Sequence, residues 1–228
     1  MNTQVVDALS MKQLNLREAL RPKSLDDLVG NDGIKPAIRK FIEQKCQRWL
    51  FYGNTGTGKT SLAWIVAREL RGSDGTGPLD LLEINGASLR GVSDMRELTE
   101  RAQTYPYSGE FRIIIMDEVQ QLTDEAKSLL LKPLEEESST TVWILCTMDV
   151  KKLDRALRDR CTTFHLKDMG QQERHELVRR AATYLDYRGD TTKFLRAIDR
   201  DELFSARDVL GAFERFANGV PVEDAVGV

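Results

Sequence analysis

The segment Gly53-Asn54-Thr55-Gly56-Thr57-Gly58-Lys59-Thr60 constrains this chain more than any other. It reads G-x-x-x-x-G-K-T, with the apolar run Trp49–Gly53 before it and the helical pattern Lys59–Arg71 after it. In that setting the glycines let successive backbone N–H groups turn inward around phosphate oxygens, and the helix N-terminus adds partial positive charge. Lys59 can reach the β- and γ-phosphates, and the Thr60 hydroxyl can ligate Mg²⁺. The motif and Ser61, the next residue on the helix, form the candidate nucleotide contacts.

The rest of the chain supplies a sheet to hold such a loop. Candidate strands are Trp49–Gly53, Leu79–Asn85, Phe111–Asp117, Thr141–Thr147 and Thr162–Leu166. The third and fourth are continuously apolar and rich in β-branched residues, the pattern of strands buried on both faces. Helical patterns fall between them at Lys59–Arg71, Ser93–Thr104 and Thr123–Glu135. Thr123 caps the last alone, because Ala126 stands where a capping box needs Glu or Gln. Pro133 should stop or kink that helix. Gly72–Pro78 reads as a surface loop. This alternation predicts an α/β fold with a mostly parallel five-stranded sheet.

After Asp168 no strand-like run recurs. Three helical stretches follow, about Gln171–Tyr187, Thr191–Arg200 and Ser205–Asn218. Leu177, Val178, Ala181, Tyr184 and Leu185 share one helix face. The expected organisation is a nucleotide-binding core over residues 1–168 and a small all-helical domain over 169–228.

Composition narrows the function classes. With 33 basic and 36 acidic residues the net charge is −3, so this is no polybasic binder, and any DNA contact must come from a local patch. Cys46, Cys146 and Cys161 form no CxxC pair and only two histidines are present, which argues against a disulfide framework or structural zinc. Cys146 reads as a small buried hydrophobe. The N-terminus lacks a secretory pattern, and no apolar run approaches the roughly 20 residues of a membrane span. The expectation is a soluble protein of a reducing compartment, cytoplasmic or nucleoid- or nucleus-associated, with no membrane partner.

A second acidic constellation completes the candidate site. Ile113-Ile114-Ile115-Met116-Asp117-Glu118 places two carboxylates at the carboxyl end of a buried strand, where parallel sheets open their ligand crevice. Asp117 would hold Mg²⁺ through water and Glu118 would polarise an attacking water. The bland alternative is a charged strand-terminating turn. Thr147 ends the next buried strand and can bond either the γ-phosphate or its own backbone.

These residues, in this order, resemble AAA+ ATPases of the clamp-loader branch, which includes replication factor C subunits and the bacterial tau/gamma subunit. The resemblance begins at Leu20-Arg21-Pro22-Lys23-Ser24-Leu25-Asp26-Asp27-Leu28-Val29-Gly30, similar to the family segment that lines the adenine pocket. It continues through the phosphate loop, Asp117-Glu118 and Thr147. Leu157-Arg158-Asp159-Arg160-Cys161 is similar to the family's Ser-Arg-Cys motif, and Ser205-Ala206-Arg207-Asp208 to its second sensor.

The resemblance implies a P-loop AAA+ core with a helical lid, binding ATP and Mg²⁺ and hydrolysing ATP within an oligomer. Arg21, Pro22, Leu28 and Val29 would contact the nucleotide. Arg160 would be an arginine finger acting on the neighbouring subunit, and Arg207 would touch the γ-phosphate of its own. Surface ion pairing of Arg160 with Asp159 or a glutamate, and a solvated face for Arg207, are the alternatives. Implied partners are other AAA+ subunits, DNA (primer-template or duplex) and a sliding clamp. Arg90 and the helix N-terminus at Ser93 are the candidate DNA-phosphate contacts; an ordinary Ser93 N-cap is the alternative. The chain departs from the family at Asp159, which replaces the motif's serine, and it lacks the four-cysteine zinc insert of the bacterial tau/gamma subunit. It also ends at Val228 with no collar, so either the chain is truncated or assembly differs. The leading reading is a sliding-clamp loader subunit of DNA replication. The alternative is an ATP-gated, DNA-associated assembly or recruitment protein serving transposition, mobile elements or defence.

Overall fold

The computed structural model describes residues 15–71, 80–89, 91–136, 140–200 and 205–227. Among them five strands form one sheet: β1 Arg48–Tyr52, β2 Leu81–Asn85, β3 Arg112–Asp117, β4 Thr141–Thr147 and β5 Thr162–His165. Their order is β2-β3-β4-β1-β5, and every neighbouring pair is parallel. Burial follows that order. β4 is buried along its whole length and β3 up to Asp117, whereas the edge strands β2 and β5 are only partly covered. The two most apolar runs thus occupy the middle of the sheet, where neither face meets water.

The helices are α1 Leu16–Ala19, α2 Lys35–Glu43, α3 Lys59–Arg71, α4 Val92–Ala102, α5 Asp124–Glu135, α6 Arg155–Asp159, α7 Gln171–Tyr184, α8 Thr192–Arg200, α9 Ala206–Ala217 and α10 Val222–Val226. The sequence reading missed α1, α2, α6 and α10. Pro133 does not stop α5 at once: the proline is buried in the last turn and the helix ends two residues later, at Glu135. A proline this close to a C-terminus removes one hydrogen bond without leaving further turns to distort. Thr123 does cap α5, its hydroxyl accepting the Ala126 N–H at 3.2 Å. The expected Gly72–Pro78 loop lies outside the described residues.

The chain separates into two compact units. The sheet unit holds residues 31–167 with 23–25. There α4 and α5 bury Met95, Leu98, Leu130 and Leu134 against Ile114, Met116, Trp143 and Leu145. Helix α3 packs on β1, β3 and β4 through Leu62, Ala63, Ile65 and Val66. Phe41, Trp49, Phe51 and Phe164 pack together, with ring centroids 5.9–6.3 Å apart.

One buried ion pair organises the connection from α4 to β3. The Arg112 guanidinium, 1 % exposed, lies 3.3 Å from Asp80, itself fully buried. It also donates to the carbonyl of Arg101, to the carbonyl and hydroxyl of Thr104 and to the carbonyl of Tyr105. Asp80 accepts the backbone N–H groups of Tyr107 and Ser108 at 3.0 and 2.9 Å. Burial pushes the Asp80 carboxyl up, but those two donors and Arg112 outweigh it and hold its pKa below the ordinary 3.8. The fixed loop carries Tyr105 and Tyr107, 85 % and 76 % exposed.

The helical unit holds residues 168–227 together with 15–22 and 26–30. A division at 168/169 therefore misplaces these N-terminal segments. Leu16 is 1 % exposed in a core with Leu177, Val178, Phe194, Val209 and Phe213. The Arg17 guanidinium lies over Gly211, where a Cβ would meet it, so the N-terminal segment crosses α9 at its smallest residue.

Candidate active site

The carboxyl ends of β1, β3 and β4 lie side by side. Tyr52, at the end of β1, is in register with Thr147, at the end of β4. β3 ends at Asp117 beside β4. The chain order reverses here, since β1 sits between β4 and β5, and open parallel sheets bind ligands at such a point.

From β1 the chain enters the glycine loop. Gly53 donates its N–H to the Thr147 carbonyl, and a Cβ on it would stand 2.2 Å from the Leu166 carbonyl oxygen, so no other residue fits. Gly56 and Gly58 have φ of 76° and 95°. These left-handed values, which side chains disfavour, reverse the chain into the start of α3. The Thr57 hydroxyl donates to the Asn54 carbonyl at 2.9 Å. Lys59 curls back over the loop, its ammonium donating to the carbonyls of Gly53 and Asn54 at 2.9 and 2.8 Å. Ser61 follows in the first turn of α3.

The second half of the site is joined directly to the first. The Thr60 hydroxyl donates to Asp117 Oδ2 at 2.5 Å, and Asp117 Oδ1 accepts the Glu118 N–H at 2.9 Å. That acceptor helps hold Glu118 at φ 55°, ψ 41°, the left-handed region, uncommon for a residue with a side chain. A Cβ on Gly86, just after β2, would meet the Glu118 carbonyl at 2.6 Å, so glycine is required beside this turn. Thr147 is fully buried, and its hydroxyl donates to Gln120 Oε1 at 2.7 Å. Gln120 Nε2 in turn donates to the Glu118 carboxylate. Cys146, wholly buried beside these acids, has its thiol pKa pushed well up, first by burial and then by the negative field of Asp117. It is a packing residue.

Thus Lys59, Thr60, Asp117, Glu118 and Thr147 converge at one edge, and Gln120, which the sequence reading missed, links two of them. Its only signal in the sequence is its place two residues after Glu118. The donor set fits the expected ligands: a hydroxyl and a carboxylate in contact supply the hard oxygens Mg²⁺ selects, and the glycine loop with its lysine suits phosphates.

The other candidates lie elsewhere. Arg160 closes α6, donating to the Ala156 carbonyl at 2.6 Å and pairing with Glu135 at the end of α5. Asp159 pairs instead with Arg155 at 3.2 Å. Arg207 is exposed in the first turn of α9, in the helical unit. Arg21, Pro22, Leu28 and Val29 also belong to that unit; Leu28 is buried, and Val29 packs against the helical core. Ser93 is not an N-cap. Gly91 holds that position, so Ser93 is the second helical residue of α4 and its hydroxyl bonds the Asp94 carboxylate. Arg90 lies outside the described residues. No described helix is long and apolar enough to cross a membrane.

A parallel sheet carrying a glycine-rich phosphate loop and an acidic pair at its carboxyl edge defines a P-loop nucleotide-binding protein. The model of the ATPase family associated with various cellular activities (AAA) matches residues 49–168, more than half the chain, and the chain belongs to that family. The chain is also similar to curated DNA polymerase III and replication factor C subunits. DNA polymerase III subunit gamma of Buchnera aphidicola is 32 % identical over 177 residues, covering 69 % of this chain and 48 % of that protein. The putative replication factor C small subunit L499 of Acanthamoeba polyphaga mimivirus is 31 % identical over 173 residues, covering 72 % and 50 %. The chain spans about half the length of these relatives. Among solved structures, the RuvB Holliday junction branch migration motor of Thermotoga maritima superposes with a TM-score of 0.71 at 23 % identity. That match covers 87 % of this chain and 65 % of RuvB, and shares the fold.

Proposed function

We propose that this chain is an ATP-hydrolysing subunit that works in an oligomeric ring on DNA as part of a sliding-clamp loader. The observation that carries the reading is the convergence of Lys59, Thr60, Asp117, Glu118 and Thr147 on one sheet edge. Relatives named as DNA polymerase III gamma and replication factor C subunits support the biological setting.

In this reading Lys59 leaves the loop carbonyls for the β- and γ-phosphates, and the loop N–H groups of Gly53–Thr60 hold the remaining oxygens. Thr60 and Asp117 hold Mg²⁺, which when bound neutralises developing phosphate charge. Glu118 orients and deprotonates the attacking water, and Thr147 donates to the γ-phosphate. Arg160 of an adjoining subunit supplies a guanidinium to the transferring phosphoryl group, and Arg207 reports the γ-phosphate to the helical unit. Arg21, Pro22, Leu28 and Val29 contact the nucleotide base.

Partners are further AAA subunits, DNA and a clamp. Ser93 and Arg90 remain the proposed DNA-phosphate contacts, now with Ser93 inside the first turn of α4 rather than capping it. The rigidly held Tyr105 and Tyr107 offer a protein partner two exposed aromatic anchors of the type that dominates interfaces. The protein acts in the cytoplasm, nucleoid or nucleus. The test is ATPase stimulation by primed DNA plus a clamp, compared with duplex DNA alone. Stimulation by the first well above the second is expected; equal rates would refute clamp loading.

A further inference from the structure

The turn that leaves β3 does more than present Glu118. Val119, fully buried, pins a single 3-10 turn over Val119–Gln121, and this returns the Gln120 side chain to the carboxyl edge of the sheet. There its amide spans two strands. Nε2 donates to the Glu118 carboxylate, while Oε1 accepts the Thr147 hydroxyl at 2.7 Å and the Met148 backbone N–H at 3.3 Å.

The sense of this bridge is fixed by chemistry. A backbone N–H can only donate, so the amide end facing Met148 must be the oxygen, and the NH₂ end must face Glu118. A carboxylate in that place would set like charges against each other. The Thr147 hydroxyl has one proton and two acceptors in reach, Gln120 Oε1 at 2.7 Å and the Asp149 carbonyl at 3.2 Å. The shorter contact takes it.

Resting on the ATPase reading above, we propose that Gln120 is a positioning residue that aims the Glu118 carboxylate and couples it to the Thr147 hydroxyl. Glu118 sits on a left-handed backbone at the end of a strand, where nothing in the ladder restrains its side chain. Gln120 supplies that restraint by anchoring the carboxylate to the end of the neighbouring strand β4. A γ-phosphate that draws the Thr147 proton to itself removes one of two donors from Gln120 and leaves Met148 holding the amide. Occupancy of the phosphate site and the aim of the water-activating carboxylate are then linked through one neutral side chain.

The test uses the full chain. Gln120→Met keeps length and shape but removes both ends of the bridge. Its nucleotide affinity should stay within about twofold of wild type while kcat falls about tenfold, the worth of one hydrogen bond to a charged group. Gln120→Glu, which confronts Glu118 with a second carboxylate, should lose about a hundredfold for the same reason plus charge repulsion. Combined with Thr147→Val, Gln120→Met should cost less than the product of the two single losses, because the two residues share one bridge. Without any turnover, the Gln120 side-chain amide resonances of nucleotide-free protein, identified by their loss in Gln120→Met, should move on Glu118→Gln and on Thr147→Val. Wild-type or faster turnover in Gln120→Met, affinity falling in step with kcat, or fully multiplicative losses would each overturn the proposal. So would amide resonances indifferent to both neighbours. A wild-type chain that binds but never hydrolyses ATP would instead sink the ATPase reading, with the resonance shifts still deciding whether the bridge exists.

Discussion

Replacing Glu118 by glutamine isolates one role because the structure keeps every other one. Asp117 caps the Glu118 backbone N–H, not its side chain, so the left-handed turn is untouched. The Gln120 N–H that now meets a carboxylate oxygen can meet the new amide oxygen instead. Thr60 bonds Asp117, and Lys59 bonds the loop carbonyls, without using the Glu118 side chain. What disappears is a charge able to take a proton from water. General-base removal is worth about 10²- to 10⁴-fold in rate, or roughly 3 to 5.5 kcal/mol of barrier. The expected result is therefore a fluorescent ATP analogue bound at near wild-type affinity, with phosphate release slowed by at least about a hundredfold. Turnover within threefold of wild type would remove Glu118 from the chemistry. Affinity lost in parallel with turnover would show that the substitution disturbed the loop and that the separation drawn here is wrong.

Subunits carrying Arg160→Ala, mixed with subunits carrying Lys59→Ala, should regain ATPase activity that neither preparation has alone; a mixture as inactive as its components would refute a finger acting between subunits. Asp80→Asn should destabilise the sheet unit by about 3 kcal/mol, since it leaves the buried Arg112 guanidinium without its charge partner. Because the Asp80 carboxyl is held below 3.8 in the folded chain, its contribution is present above that value and lost as pH falls through the folded pKa. Denaturant titrations from pH 7 to pH 3 should therefore show wild type losing stability toward Asp80→Asn at the acid end; parallel curves throughout would refute the assignment.

Strand content was legible because β3 and β4 are runs no exposed segment would carry, and the phosphate loop because glycine spacing and a following helix leave little else for it to be. The candidate site edge followed from both, since Asp117 and Thr147 end those runs. Helix α2 was harder to see: its proline lies at the permitted first turns, and Lys35 and Ile38 are its only buried residues. The N-terminal segment's allegiance to the helical unit depends on Leu16 and on the space above Gly211, contacts nearly two hundred residues apart in sequence. Ser93 misled because serine so often caps helices, while here Gly91, at φ 148°, makes the turn and the helix begins one residue early. Gln120 was invisible for a different reason. Its meaning lies in one acceptor and two donors at the ends of separate strands, and no spacing rule encodes which way an amide faces.

Arg160 is not a bare cation in the single chain. It is clasped by Glu135, which is more than half exposed, and an ion pair so wet is worth under about 1 kcal/mol. In the ring proposed above, engagement with a neighbour's triphosphate would be a swap of one anion for a more highly charged one, and the interface would gain only the difference. Such a trade would be easily reversed once the terminal phosphate leaves, so the same guanidinium would let go of a spent neighbour without any large rearrangement of its own helix.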